Sequence, residues 1–352
     1  MPPVLDVRLP PYRPPVWLRS GHVQTVLPTL FRRVEGVVYR RERLDLADGD
    51  FLDLDWAFGP AGGGRQRTAV VAHGLEGSTS RAYVRGMARA LGARGWTVCA
   101  WNMRGCSGEP NRALRATHSG ATDDLDAVVR HVLTGVAEAG VAEAGGAPAV
   151  ALVGFSLGGN VTLKWLGERG AGVDGRVVGA VAVSVPVDLA SASGVLERPS
   201  RRVYMRRFLR SLGAKAEEKA GRFPDAPDPV PVRRMRSFRE FDAHVTAPVH
   251  GFESAEDYWR RSSSGPVLAE IRVPTLLVQA LDDPFLSPAC YPYAAARANP
   301  CLRLVTPRYG GHVGFVAPGG EYWSEAVAAR FLGAAYATAE SAASRSGPPS
   351  TA

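Results

Sequence analysis

Cysteine is scarce in this chain, and its spacing gives no sign of disulfide or metal chemistry. The 352 residues include four cysteines, none of which form a C-x-x-C pair: Cys99, Cys106, Cys290 and Cys301. This pattern predicts neither a disulfide framework nor a cysteine-based metal site. A chain without disulfides suits a reducing compartment, so we expect a cytoplasmic protein.

Long apolar runs are also missing. No stretch of 18 or more apolar residues occurs, which predicts that no transmembrane helix is present. The first eight residues lack the basic-then-apolar layout of a secretory signal. We therefore expect no stable membrane insertion, in line with a cytoplasmic location.

The glycine motifs of nucleotide-binding folds are absent. The chain has neither G-x-G-x-x-G nor G-x-x-x-x-G-K-[ST] next to its glycine-rich turns. The pair Asp123 and Asp124 lacks the further clustered ligands of a metal site, and favours a helix start instead. We expect no cofactor and no metal.

Lysine is rare as well, and the positive charge is concentrated in one segment. The formal net charge is +8, and only Lys164, Lys215 and Lys219 are lysines. Residues 198–239 hold thirteen Arg or Lys against four Asp or Glu, a local charge of +9. No nucleic-acid-binding motif accompanies this segment. It predicts either a solvated face or peripheral contact with anionic surfaces.

Apolar strand-like runs alternate with helix-like runs along most of the chain. Strands are predicted at 68–72, 96–101, 149–153, 177–185, 274–280 and 302–306. Residues 37–56 add two antiparallel strands at one edge of the sheet. The alternation predicts the α/β class, with a mostly parallel sheet and helices on both faces.

The Pro- and Arg-rich stretches suggest how the chain is divided. We predict a core of residues 1–186 and 266–336, in which residues 1–35 wrap around the outside. Residues 187–265, here called the cap, break the alternation. They are predicted to be a helical insertion after a late core strand. The aromatic residues of the cap either line an acyl tunnel or pack the cap onto the core. The Ala-, Ser-, Gly- and Pro-rich residues 337–352 are predicted to be a disordered tail.

The pentapeptide from Gly154 to Gly158 follows the G-x-S-x-G pattern. It lies between the strand-like run 149–153 and a helix-like run that begins at Gly159. Strand, sharp turn and helix form the nucleophile elbow, in which the serine hydroxyl is exposed on a strained turn. Ser156 is the predicted nucleophile.

A serine nucleophile needs a base to take its proton. In enzymes with this elbow the three residues follow one another along the chain in the order serine, acid, histidine. The histidines after Ser156 are His244, His250 and His312. The first two lie in an Arg- and Pro-rich stretch without a clear strand. His312 lies in a glycine-flanked loop after the last predicted strand, and is the predicted base.

The acid is predicted in the turn after strand 274–280. We favour Asp283, which would fix the tautomer of the imidazole and stabilise the imidazolium. Two alternatives remain. Asp282 lies in the same turn, where it could instead bind its own backbone, and Asp188 follows strand 177–185.

The oxyanion hole needs two backbone N–H groups. One is predicted from Leu157, directly after the nucleophile. The other is assigned to Leu75, in the loop that follows strand 68–72. His73 precedes the serine in the chain, so we expect it to anchor this loop rather than to act as a base.

Several motifs together resemble the YheT-like family of the α/β-hydrolase superfamily, over about residues 15–335. They are G-H-V-Q-T at 21–25, H-G-L-E-G-S at 73–78 followed by R-A-Y at 81–83, W-N-M-R-G-C-S-G-E at 101–109, H-S-G-A-T-D-D-L at 118–125 and D-D-P-F at 282–285. The resemblance implies an α/β-hydrolase fold and the triad Ser156, Asp283 and His312.

The predicted triad and the resemblance together indicate a serine carboxylic-ester hydrolase that acts through an acyl-enzyme. The resemblance does not select a substrate, and we expect short- to medium-chain acyl esters or lipid-like esters. Its partner would be a small-molecule ester, with no nucleic acid. Transfer of the acyl group to an alcohol by the same triad is the alternative. A non-catalytic binder of anionic surfaces is the second alternative.

Overall fold

A computed structural model describes residue 5 and residues 7–58, 67–138 and 149–345. Its centre is one sheet of eight strands in the order β1-β2-β4-β3-β5-β6-β7-β8. Strands β1 and β2 pair antiparallel, as do β2 and β4, and the remaining neighbours are parallel. The predicted α/β class and the antiparallel edge strands are confirmed. The strands are β1 Arg40–Asp45, β2 Phe51–Ala57, β3 Arg67–Ala72, β4 Thr97–Asn102, β5 Ala149–Phe155, β6 Val177–Val183, β7 Thr275–Val278 and β8 Leu302–Val305.

The central strands are short apolar runs because helices cover both of their faces. Every residue of β5 and of β6 is buried. In β3 the alternating side chains separate into two apolar clusters, with Val70 in one and Val71 in the other. A sheet buried on both sides gives this result, since successive side chains of a strand point to opposite faces.

Helices pack on both faces of the sheet. Residues of α2 and α11 join the cluster of Val71, and residues of α3 and α4 join that of Val70. The α-helices are α1 Gly21–Phe31, α2 Ala82–Gly92, α3 Thr122–Glu138, α4 Leu157–Arg169, α5 Leu189–Leu196, α6 Arg202–Ala220, α7 Phe238–Phe241, α8 Ala247–His250, α9 Ala255–Ser262, α10 Tyr293–Ala298 and α11 Trp323–Arg345.

The cap residues form helices α5 to α9 between β6 and β7. A π-helix, Asp242–Thr246, connects α7 and α8. The cap has an apolar cluster that includes Met205, Leu209 and Phe241, together with Phe285 from the turn after β7. The division into core and cap domains stays a prediction. Short 3-10 helices lie at Val16–Leu18, Gly170–Gly172, Pro199–Arg201, Val232–Arg234, Gly265–Glu270 and Pro288–Cys290.

The disordered tail predicted from residue 337 is wrong over its first part. Helix α11 continues to Arg345, and Ala339 is still packed against the core cluster. The composition was misleading because alanine, which dominates this stretch, has the highest helix propensity of all residues. Residues 346–352 lie outside the described residues.

Within the described ranges, no helix combines the length and the apolar character needed to cross a bilayer. The same part of the chain holds no group of three or more His, Cys, Asp or Glu side chains that could hold a metal ion.

A buried arginine connects the edge strands to helix α3. Arg104 donates to Asp124 through Nε and Nη2, at 2.9 and 2.8 Å, and through Nη1 to Asp50 at 2.9 Å. Its Nη1 also pairs with Asp48 at 2.7 Å. The side chains of Arg104, Asp50 and Asp124 are each at most 2% exposed. Removing the cation would leave two buried carboxylates without their charge partner.

We expect Arg104→Gln to lower the free energy of unfolding by about 3–5 kcal/mol, because breaking a buried ion pair leaves an uncompensated charge. Urea denaturation at pH 7 measures this loss. Arg112→Gln is the control, because Arg112 pairs with Asp45 on the surface and such pairs contribute about 1 kcal/mol or less. The deficit of Arg104→Gln should shrink as the pH falls, since the orphaned carboxylates then take up protons. Equal stability of the two variants would contradict the account.

Candidate active site

Ser156 occupies a sharp turn between β5 and α4. β5 ends at Phe155 and α4 begins at Leu157, and Ser156 has φ 51° and ψ −118°. A positive φ is strained for a residue with a side chain. Its backbone N–H donates to Val183 O at 2.9 Å, which ties the turn to the neighbouring strand. The predicted nucleophile elbow is therefore present in the backbone.

The glycines of the pentapeptide are required by close packing. A Cβ added to Gly154 would lie 2.5 Å from Gly158 O, and one added to Gly158 would lie 2.4 Å from His73 O. Neither position has room for a side chain. The absence of these side chains lets the loop after β3 approach the serine directly.

The structure brings Ser156, His312 and Asp283 together. His312 Nε2 lies 2.9 Å from Ser156 Oγ, and His312 Nδ1 lies 2.9 Å from Asp283 Oδ2. The Asp283 side chain is fully buried and the His312 side chain is 10% exposed. In the tautomer with the proton on Nδ1, His312 donates to Asp283, and Nε2 is free to accept from the serine hydroxyl.

The other two carboxylates have different partners. Asp282 Oδ1 accepts from the N–H of Gly311 at 2.9 Å, and so holds the loop that carries His312. Burial raises the pKa of Asp282 above its ordinary value. Asp188 Oδ1 accepts from the N–H of Ser191 at 2.8 Å and caps the start of α5.

The histidines of the cap bind backbone carbonyls. His244 Nε2 lies 2.8 Å from Asp228 O, and His250 Nδ1 lies 2.8 Å from Thr246 O. Burial lowers the pKa of His250, which favours a neutral ring. These contacts are consistent with structural roles.

Sequence reasoning missed the part that α1 plays in holding the His312 loop. The N–H of His312 donates to Thr25 Oγ1 at 2.8 Å, and Thr25 Oγ1 in turn donates to Gly21 O at 2.7 Å. Gln24 Oε1 accepts from the N–H of Val316 at 3.0 Å. The segment predicted to wrap the outside thus supports the loop that carries His312. The conspicuous run G-H-V-Q-T was the available signal, but it did not reveal the contact.

Phe285 was also missed as a neighbour of the histidine. Its ring stacks on the imidazole of His312 with centroids 4.2 Å apart. Its backbone N–H donates to Asp283 Oδ1 at 2.9 Å. One residue therefore covers the imidazole and fixes the carboxylate beneath it.

The loop after β3 is anchored by His73. Its Nδ1–H donates to Gly74 O at 2.8 Å, and its Nε2 accepts from the N–H of Met103 at 3.1 Å. Burial lowers the pKa of His73 to about 4, so the ring is neutral at pH 7. Gly74 N–H donates to the Tyr83 hydroxyl at 3.0 Å. His73 thus holds the loop in place, as expected.

The two predicted oxyanion donors border the same cavity as Ser156 and His312. Leu157 is the first residue of α4, where a helix leaves its N–H groups without intrahelical partners. Leu75 follows Gly74, and a Cβ on Gly74 would lie 3.1 Å from Ser156 Cβ. Both leucines line the cavity, together with Ser156 and His312.

The cavity has a volume of about 430 Å³. Core loops form one side and the cap forms the other. Its apolar lining includes Leu189, Leu196, Phe208, Leu212, Phe238, Phe241, Val245, Trp259, Phe285 and Leu286. A site of this size and character suits a small organic molecule with an apolar part.

The cap aromatics divide between lining and packing. Phe208, Phe238, Phe241, Tyr258 and Trp259 line the cavity. Tyr204 instead stacks on His22 and contacts Phe285 edge-on. Phe208, Phe238 and Phe241 do both, because they also belong to the apolar cluster of the cap. That the cavity holds an acyl chain stays a prediction.

The cavity wall also contains ionisable groups. Lys219 Nζ donates to Asn111 Oδ1 at 2.7 Å, and burial lowers the pKa of this lysine to about 8. Asp242 accepts from the Trp259 indole N–H at 2.8 Å, and burial raises the pKa of Asp242 to about 6. The lysines of the basic segment face inward, whereas Arg202, Arg206, Arg207 and Arg210 are exposed.

This architecture has counterparts among known proteins. Residues 70–317 match the α/β-hydrolase fold family. YheT of Escherichia coli (strain K12) is 40% identical over 298 residues, which cover 84% of this chain and 84% of YheT. Phospholipase ABHD3 of the mouse, Mus musculus, is 30% identical over 311 residues, which cover 87% of this chain and 73% of the relative.

A solved structure also resembles this chain. The esterase Pf2001 of Pyrococcus furiosus superposes with a TM-score of 0.53, at 18% identity, over 86% of this chain and 98% of its own. At that identity the likeness concerns the fold alone.

Proposed function

The chain belongs to the YheT-like branch of the α/β-hydrolase superfamily, and we propose that it is a serine carboxylic-ester hydrolase that works through an acyl-enzyme on Ser156. The observation that carries this proposal is the pair of contacts at His312, at 2.9 Å to Ser156 Oγ and 2.9 Å to Asp283 Oδ2. Serine hydroxyl, imidazole and carboxylate in series are the arrangement that activates a serine nucleophile.

In the acylation step, Ser156 Oγ attacks the carbonyl carbon of the ester while His312 Nε2 takes the hydroxyl proton. Asp283 accepts the hydrogen bond from Nδ1–H and stabilises the imidazolium that forms. The backbone N–H groups of Leu157 and Leu75 receive the developing oxyanion. The imidazolium then protonates the leaving alkoxide, and the acyl group stays on Ser156.

Deacylation repeats the sequence with water. His312 takes a proton from the water as its oxygen attacks the acyl carbonyl, and returns that proton to Ser156 Oγ as the acid leaves. This chemistry uses only side chains and backbone groups of the chain, so the proposal requires no metal and no cofactor.

The apolar lining supports an acyl group of short to medium length, or a lipid-like ester, as the substrate. A cavity of about 430 Å³ is of the size that encloses small ligands. The similar mouse protein bears the name phospholipase, which agrees with an ester bond as the target. The partner is thus a small-molecule ester.

We expect a fluorophosphonate probe to label the wild type and to leave Ser156→Ala unlabelled, because only an activated serine attacks phosphorus. Turnover of p-nitrophenyl esters of graded chain length should fall by about 10⁴- to 10⁶-fold in the variant. Ser341→Ala, which alters an exposed serine on α11, is the control and should behave like the wild type.

Equal labelling of wild type and Ser156→Ala would refute the nucleophile assignment. Absence of both labelling and turnover in the wild type would favour the non-catalytic binder instead. Product analysis with added ethanol separates hydrolysis from acyl transfer, because a transferase would form the ethyl ester in preference to the free acid.

We also propose that the exposed arginines of α6 contact anionic surfaces. Arg202, Arg206 and Arg210 recur every four residues and so share one face of the helix. Helix α1 touches α6 through the contact of His22 with Tyr204, and the last residues of α1, Leu30 and Phe31, are 66% and 71% exposed. Cationic and apolar groups on neighbouring helices suit an anionic lipid surface.

We expect activity on esters in anionic vesicles to fall as the salt concentration rises, and activity on neutral soluble esters to stay constant, because salt screens surface charges. Joint replacement of Arg202, Arg206, Arg207 and Arg210 by Gln should abolish the salt effect. Arg201 is left intact because its Nε donates to Pro284 O beside the triad.

The control replaces two arginines, Arg176 and Arg272, by Gln; they precede β6 and β7 at the opposite end of the sheet. This pair should keep the wild-type salt response. A flat response of the wild type on both substrates would show that the arginines only solvate the cap.

A further inference from the structure

Glu76 has an unusual conformation within the loop that carries Leu75. Its φ is 53°, a left-handed backbone angle that residues other than glycine seldom adopt. Such strain persists only where the surroundings hold the residue in place. The residue lies one position after the proposed oxyanion donor, so whatever holds Glu76 also fixes the Leu75 amide.

Cap helix α6 supplies the contacts that hold Glu76. Lys215 Nζ donates to Glu76 Oε1 at 2.8 Å, and the hydroxyl of Ser211 donates to Glu76 Oε2. Ser211 and Lys215 are four residues apart and so lie on the same face of the helix. The Glu76 side chain is 8% exposed and the Lys215 side chain 36%, so the carboxylate of this contact between cap and core is buried and the lysine is partly open to solvent. From the core side, Arg81 Nη2 donates to Glu76 O at 3.1 Å.

The ammonium of Lys215 remains charged in this setting. Burial alone would lower the pKa of Lys215, but the neighbouring Cys106 and Glu76 outweigh that effect, and its pKa lies above the ordinary value. Lys215 Nζ also lies 3.3 Å from Cys106 Sγ, in the loop after β4. The lysine therefore connects the cap to two core loops that border the cavity.

We propose that Glu76 is a positioning residue through which α6 sets the oxyanion hole. Ser211 and Lys215 hold the carboxylate, the carboxylate holds the strained turn, and the turn directs the Leu75 N–H toward the reacting carbonyl. The oxyanion hole is then complete only when α6 of the cap is packed against Glu76. This inference rests on the proposed ester hydrolysis, and it names how the cap takes part in it.

The test compares Glu76→Gln, Ser211→Ala and Lys215→Met with the wild type. We expect kcat to fall by about 10- to 100-fold, because loss of a complete oxyanion donor costs about 10²- to 10³-fold. KM should change by less than about threefold, since the oxyanion hole acts on the transition state rather than on the bound ester. Lys215→Arg, which keeps the charge, should recover most of kcat.

Inhibitor binding separates positioning from a general loosening of the site. A trifluoromethyl ketone, which forms a tetrahedral oxyanion with Ser156, should lose affinity in parallel with kcat/KM. A non-hydrolysable ether of the same chain length should keep its affinity. Thermal melting identifies any variant that fails to fold. If Glu76→Gln or Lys215→Met does not fold, Ser211→Ala still tests the proposal, because it removes only one hydroxyl group.

Glu217→Gln is the matched control, because Glu217 pairs with Arg233 on the exposed face of the same helix. It should leave kcat unchanged. The proposal is overturned if the folded variants keep wild-type kcat, or if both inhibitors weaken equally. Failure of the proposed function itself is distinct, because the wild type would then show neither turnover nor labelling of Ser156.

Discussion

The positive φ of Ser156 is the constraint on which the rest of the site depends. It is compatible with folding because β5 and α4 are both deeply buried, and because the glycines beside the serine leave room for their close approach. The strained turn lifts the hydroxyl out of the sheet toward the loops after β3 and β8. The other proposed catalytic groups lie around the Ser156 hydroxyl. The packing of β5 and α4 therefore fixes the position about which the site is assembled.

Support for the histidine comes from parts of the chain that are distant in sequence. The loop of His312 rests on Thr25 of α1 and on Asp282 of the turn after β7, while Phe285 covers the ring. The cap reaches the same centre through Ser211 and Lys215 on Glu76. Core, N-terminal helix and cap therefore converge on one cavity, which explains why residues near both ends of the chain belong to the site.

Short sequence patterns were sufficient to predict those features that depend on neighbouring residues alone. The elbow at Ser156, the alternation of strands and helices, and the position of His312 in a glycine-flanked loop follow from short runs of sequence. Asp282 and Asp283 could not be separated that way, because adjacent residues of one turn differ only in the direction of their side chains. The role of α1 and the inward direction of Lys215 and Lys219 depend on long-range packing, and Ala-rich composition concealed the end of α11.

The central claim is that Asp283, through His312, activates Ser156. The most direct measurement is the kcat of Asp283→Asn beside that of Asp282→Asn, with near-wild-type melting temperatures required of both. We expect a loss of about 10⁴-fold for Asp283→Asn, because an amide favours the wrong imidazole tautomer. Asp282→Asn should lose less than about tenfold, because its remaining carbonyl oxygen can still accept from Gly311 N–H. A loss for Asp283→Asn no greater than that for Asp282→Asn would contradict the account.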